Sequence, residues 1–167
     1  MARKIAEEAA RRGLRVTLVA PSHDACRMLG GESITLHRYC HAFSGRAIRK
    51  VCEDLLIIDE ACMAGTILYS LLSEQQFLAS QTRKVLCVGD PEQYRAPFDW
   101  YHGNENPSEK MMESPIIKRL CGNNLIRLSQ CRRSCVELFN LYIGVQLSDL
   151  PGLRTRFPFK MLSLIHI

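Results

Sequence analysis

Two adjacent carboxylates, Asp59 and Glu60, follow directly on the apolar run Leu55-Leu56-Ile57-Ile58. A charge pair buried without partners would cost several kcal/mol per ion, so the pair is expected at a strand end, facing water, a metal or a ligand. These residue types suit magnesium and water chemistry. One carboxylate can hold Mg²⁺ through the ion's water shell, because this ion keeps several of its waters. A second carboxylate, one residue on, can polarise a water for attack on a phosphoryl group. Acidic pairs are also common as solvated strand ends, so the dipeptide alone leaves both readings open.

Other segments carry chemistry-bearing residues. The stretch VLCVGDPEQ ends on Gln93, and LSQCRRS contains Arg132 and Arg133. Pro21, Ser22 and His23 follow one apolar run, while Thr35, His37 and Arg38 stand close together further on. Hydroxyls, backbone N–H groups and a cation can hold phosphates without reading bases. The plainer alternatives are a helix-capping serine, partly buried histidines and a solvated arginine pair. Phe98, Trp100 and Tyr101 could stack bases or pack on their own domain.

The elements that must position these residues follow from periodicity. Helical spacing predicts a helix over 2–12, stopped by Gly13, and another over 22–29 with Ser22 as N-cap and Gly30-Gly31 after it. Helices are also expected over 66–80, 114–121 and 135–147. Strands are expected over 14–20, 54–60, 83–90 and 123–129, and a surface loop over 98–113. Apolar strands alternating with helices predict an α/β fold, a parallel sheet covered on both faces. In such sheets ligands bind beyond the carboxyl ends of the strands, which is where APSH, DEAC, GDPEQ and the end of NNLIRLS fall.

Composition sets the frame. The 167 residues are 47% hydrophobic and 23% charged, as in a globular protein with a real core. No apolar run reaches the roughly 20 residues of a membrane span, no signal-peptide pattern opens the chain, and an intracellular location is expected. Eight cysteines are scattered without a CxxC pair, which predicts reduced, buried thiols. A zinc site from His37, Cys40 and His41 would lack a recognised ligand framework. The formal charge of +5 favours an anionic partner weakly.

Taken together, five stretches resemble the motifs of a superfamily 1 helicase, in the first of its two RecA-like motor domains. VTLVAPSHDACRML is similar to motif Ia, ITLHRYCHAF to motif Ib, LLIIDEACM to motif II, VLCVGDPEQYRAP to motif III and LSQCRRS to motif IV. The resemblance implies a RecA-like P-loop NTPase sheet. It also implies ATP and Mg²⁺ as cofactors and single-stranded DNA or RNA as partner, with no membrane. By that resemblance Asp59 holds Mg²⁺ through water and Glu60 is the base towards the attacking water. Gln93 senses the γ-phosphate and Arg133 reaches it. Pro21, Ser22, His23, Thr35, His37 and Arg38 lie along the strand's backbone. Two positions depart from the family pattern: Arg132 replaces an aromatic and Tyr94 a leucine.

The phosphate-cradling sequence G-x-x-x-x-G-K-[ST] occurs nowhere in the 167 residues, and neither do motifs V and VI. Residues 1–149 are therefore expected to be a partial motor domain lacking its central phosphate-loop strand, and 150–167 an irregular tail of non-native character. On this view the isolated chain is an inactive fragment that binds nucleotide weakly. The alternatives are a non-catalytic nucleic-acid-binding module derived from a helicase domain, or another P-loop ATPase with a chance glutamine at position 93.

Overall fold

In the computed structural model, described over residues 1–41, 52–78, 83–90 and 114–128, the segment Val16–Ala20 forms strand β1. Two compact units divide the chain, Met1–Leu125 and Ile126–Ile167, and every element named below belongs to the first. The expected domain boundary at 149 lies outside the described residues. The other strands are β2 (Ile34–Thr35), β3 (Leu55–Ile58) and β4 (Lys84–Cys87). All pair in parallel, in the order β2-β1-β3-β4. Val19 faces both Ile34 and Ile58, and Ile58 in turn faces Cys87, so the carboxyl ends of the four strands lie in one row.

Alternation along β3 divides the core between the two faces of the sheet. Leu56 and Ile58 join one cluster, with Leu36, Tyr39, Tyr69, Leu72, Ile117 and Leu120, while Ile57 joins another with Ala2, Ala6, Cys26 and Leu29. The first cluster is closed by helices α3 (Leu36–His41), α4 (Thr66–Leu78) and α5 (Pro115–Leu120). The second is closed by α1 (Ala2–Arg11) and α2 (His23–Leu29). Helix α1 buries Ala2, Ala6 and Ala9, at helical spacing, and small side chains let its backbone approach the sheet. The expected α/β architecture, parallel and covered on both faces, is borne out.

Two local expectations need correction. The strand expected over 123–129 does not form within its described part: residues 124–128 carry no strand, and Leu125 is 62% exposed. An apolar run becomes a strand only when a partner accepts its backbone groups, and among the described residues none does. The thiols are not uniformly buried either, since Cys52 is exposed and Cys87 and Cys121 are half-buried. Conversely β2 and α3 arise where periodicity predicted no element, both being short. Loop 98–113 and helix 135–147 lie outside the described residues.

Below the sheet's amino ends a buried polar network joins four segments. Arg83, which precedes β4, donates through Nη1 to Glu53 Oε1 at 3.0 Å and to the Tyr39 hydroxyl, while Tyr39 donates to Glu53. Arg83 Nε donates to Gln76 Oε1 at 2.8 Å, and Gln76 Nε2 returns a bond to the Arg83 carbonyl at 2.7 Å. The guanidinium carbon also sits 5.8 Å from the centre of the Tyr39 ring. Helix α3 is thereby tied to α4 and to the starts of β3 and β4.

Candidate functional site

The carboxylate pair stands where its sequence context demands, at the carboxyl tip of β3. The Asp59 amide donates to the Val19 carbonyl at 2.9 Å, which extends the β1–β3 pairing by one residue. Glu60 then turns the chain sharply, in the left-handed conformation at φ 50°, ψ 41°. A non-glycine residue held there costs roughly 1–3 kcal/mol and persists only where its surroundings impose it. Here they do. The Ala61 amide donates to the Val88 carbonyl at 2.9 Å, Met63 N–H to the Glu60 carbonyl at 2.9 Å, and the buried Tyr69 hydroxyl to the Ala61 carbonyl at 2.7 Å. Both carboxylate residues remain half-exposed, so water and a hydrated cation have access to them.

The turn after β4 lies against this one. Val88 N–H donates to the Ile58 carbonyl at 2.8 Å, and Gly89 and Asp90 follow. Burial pushes the Cys62 thiol up to about 11, and the nearby carboxylates of Asp90 and Glu60 push it the same way. Asp90, to which the sequence reading gave no role, thus shares the site with Glu60. The signal that could have found it is the one that found Asp59, an acid just beyond an apolar strand.

On the other side of Asp59 lie the tips of β1 and β2. Ala20 faces Thr35 across the ladder, so Pro21, Ser22 and His23 leave the sheet beside Thr35, His37 and Arg38. Ser22 is the N-cap of α2, its Oγ accepting from Ala25 N–H at 3.1 Å, and Thr35 Oγ1 accepts from Arg38 N–H at 3.2 Å at the start of α3. Both oxygens therefore serve as caps, of which the plainer reading expected that of Ser22, while each hydroxyl proton still has a donor direction to offer. Thr35 is buried and Pro21 and Ser22 are half-buried, whereas His23, His37 and Arg38 are exposed. The His37 and His41 rings lie 4.2 Å apart on α3. Among the described residues no three metal-ligating side chains gather, and Cys40 is buried away from the two histidines' exposed face.

The structure thus brings Asp59, Glu60, Pro21, Ser22, His23, Thr35, His37 and Arg38 to one sheet edge. Gln93, Arg132 and Arg133 lie outside the described residues. The family model described as the AAA domain matches residues 1–97, more than half of the chain and all four strands. The chain belongs to the AAA domain family.

This AAA domain is similar in structure to Bacteroides Pif1 bound to ssDNA, with 15% identity and a TM-score of 0.44 over 67% of this chain and 29% of that one. It is likewise similar to Pif1 in the structure of two coordinating Pif1 helicases that addresses DNA unwinding at forked dsDNA. There the identity is 14% and the TM-score 0.47, over 71% of this chain and 35% of the other. The AAA domain therefore spans about a third of the length of those helicases. No curated protein sequence matches it. The resemblance drawn from motifs Ia to IV agrees with this family match, and the parallel α/β sheet that it implies is the one observed.

Proposed function

We propose that this AAA domain is the portion of an ATP-dependent helicase motor that carries the water-activating acid and one edge of the single-strand track. The observation that supports this best is adjacency. The Asp59-Glu60 turn leaves β3, the Pro21–His23 segment leaves its neighbour β1, and the Thr35–Arg38 segment leaves β2, one strand further on. Nucleotide state and strand contact would then be separated by one or two strand spacings, about 5 Å each.

In this reading Asp59 would hold Mg²⁺, and Glu60 would accept a proton from the attacking water. A half-exposed carboxylate with hard oxygen donors fits this ion, which is held through one or two carboxylates and several waters. The ion's chemistry is to neutralise charge developing on the phosphates. Gln93 and Arg133 complete the assignment as sensors of the γ-phosphate. His23, His37 and Arg38, exposed beside the two capping hydroxyls, contact the backbone of single-stranded DNA or RNA. An intracellular setting with reduced thiols belongs to the same reading.

With no G-x-x-x-x-G-K-[ST] sequence in its 167 residues, the chain by itself is proposed to bind ATP weakly and to turn it over negligibly. The test therefore has two arms. In a full-length helicase containing this domain, Glu60→Gln abolishes hydrolysis and leaves ATP binding largely intact; retained turnover removes Glu60 from the role. In the chain alone, single-strand affinity falls with salt at a log–log slope of about −0.7 per neutralised phosphate. A flat response removes the strand track. Binding without any nucleotide response in the full-length protein favours the second reading, a non-catalytic nucleic-acid module.

A further inference from the structure

Gly89 stands one residue before Asp90 and at van der Waals distance from the Glu60 turn. A Cβ built on it would lie 3.0 Å from the Ala61 amide nitrogen and 3.1 Å from both the Cys62 nitrogen and its Sγ. Two of these three atoms are backbone, which cannot swing aside as a side chain can. Gly89 is not among the glycines with positive φ, so its backbone conformation alone does not call for glycine. The requirement comes from packing: a Cβ here would push the β4 turn and the β3 turn apart by a few tenths of an ångström.

The two turns are also hydrogen-bonded to each other. Val88 donates to Ile58 and receives from Ala61, so the residue that follows β4 grips the chain on both sides of Asp59 and Glu60. Ala61 is the residue that must stay in place if Glu60 is to keep its left-handed φ of 50°. We propose that Gly89 is a positioning residue for Glu60: its bare Cα allows the Ala61–Val88 bond, and that bond holds the acid in its turn. The inference deepens the water-activating reading and rests on it for its functional meaning, though not for its geometry.

Amide exchange in the full chain, read residue by residue by NMR, tests the proposal without nucleotide. In Gly89→Ala the Ala61 amide exchanges about tenfold faster relative to the Asp59 amide, the equivalent of one backbone hydrogen bond. Asp59 is held by Val19 on the far side of β3 and serves as the internal reference. An unchanged ratio of the two rates overturns the proposal, and so does a parallel rise of both, which would mean general loosening. Should Gly89→Ala fail to fold, Cys62→Ala provides the second arm. That variant deletes the thiol but no backbone atom, so Ala61 protection stays within about twofold; its loss would mean that the thiol, not the glycine contact, holds the turn. Turnover retained by Glu60→Gln would remove the water-activating role and leave this steric result standing, so the two failures are distinguishable.

Discussion

Arg83 Nη1 lies 3.0 Å from Glu53 Oε1, with the arginine side chain wholly withdrawn from water and the glutamate 9% exposed. Removing one partner of such a pair leaves the other charge buried and unmatched, at a cost of about 3–5 kcal/mol. Arg83→Met is expected to lower the unfolding free energy by that amount in a urea titration. Adding Glu53→Gln to it should return part of the loss. A decrease under about 1 kcal/mol would mean that the pair is as weak as an exposed one.

Glu53 also makes stability pH-dependent. Burial pushes its carboxyl up, but hydrogen bonds from Tyr39 and Arg83 outweigh burial and hold it below its ordinary 4.5. A carboxyl lowered by folding stabilises the native state above its unfolded pKa, and that contribution disappears as pH falls through the folded value. The melting temperature of the wild type should therefore fall more steeply below about pH 4.5 than that of Glu53→Gln. Identical pH profiles would contradict the assignment.

Thiol chemistry gives an independent check on packing. A hydrogen bond with Cys87 holds Cys121 down to about 7, whereas burial pushes Cys40 and Cys62 up to about 11. The thiolate is the reactive form. Brief alkylation at about pH 8, followed by peptide mass spectrometry, should label Cys121 well ahead of Cys40 and Cys62. Equal labelling of the three would show that the core around Tyr69 is open.

Ser22 separates capping from strand contact. Ser22→Ala removes the acceptor of the Ala25 amide and should destabilise the protein by about 1 kcal/mol. Ser22→Asp keeps the cap and places a negative charge where a phosphate is proposed to lie. Fluorescence anisotropy with a labelled single strand should show stability retained and affinity reduced in the aspartate variant. Unchanged affinity would confine Ser22 to its role as a cap.

The parts of this fold that were legible in the sequence are those encoded within single segments. VTLVA and LLII announce strands because apolar residues run without a break. Ser22 before a helical stretch, Gly30 after the same stretch and Gly13 after another mark helix ends through local hydrogen bonding and backbone conformation. Asp59 and Glu60 could be placed at a strand tip because no core tolerates them. The helical stretch of α3 was not legible, since it follows β2 without a break and no proline marks its start as Pro115 marks that of the equally short α5.

By itself, then, the sequence determined the alternation of strands and helices, the parallel sheet that follows from it, and the carboxyl edge as the place where chemistry belongs. Tertiary structure alone decided that β1 lies between β2 and β3, that Arg83 is buried against Glu53 and Tyr39, and that Gly89 meets the Glu60 turn. Periodicity reports which face of one segment avoids water. Contacts between residues 28 or 30 positions apart depend on how separate segments pair and pack. That is a collective minimum of the whole domain, and no single segment carries it.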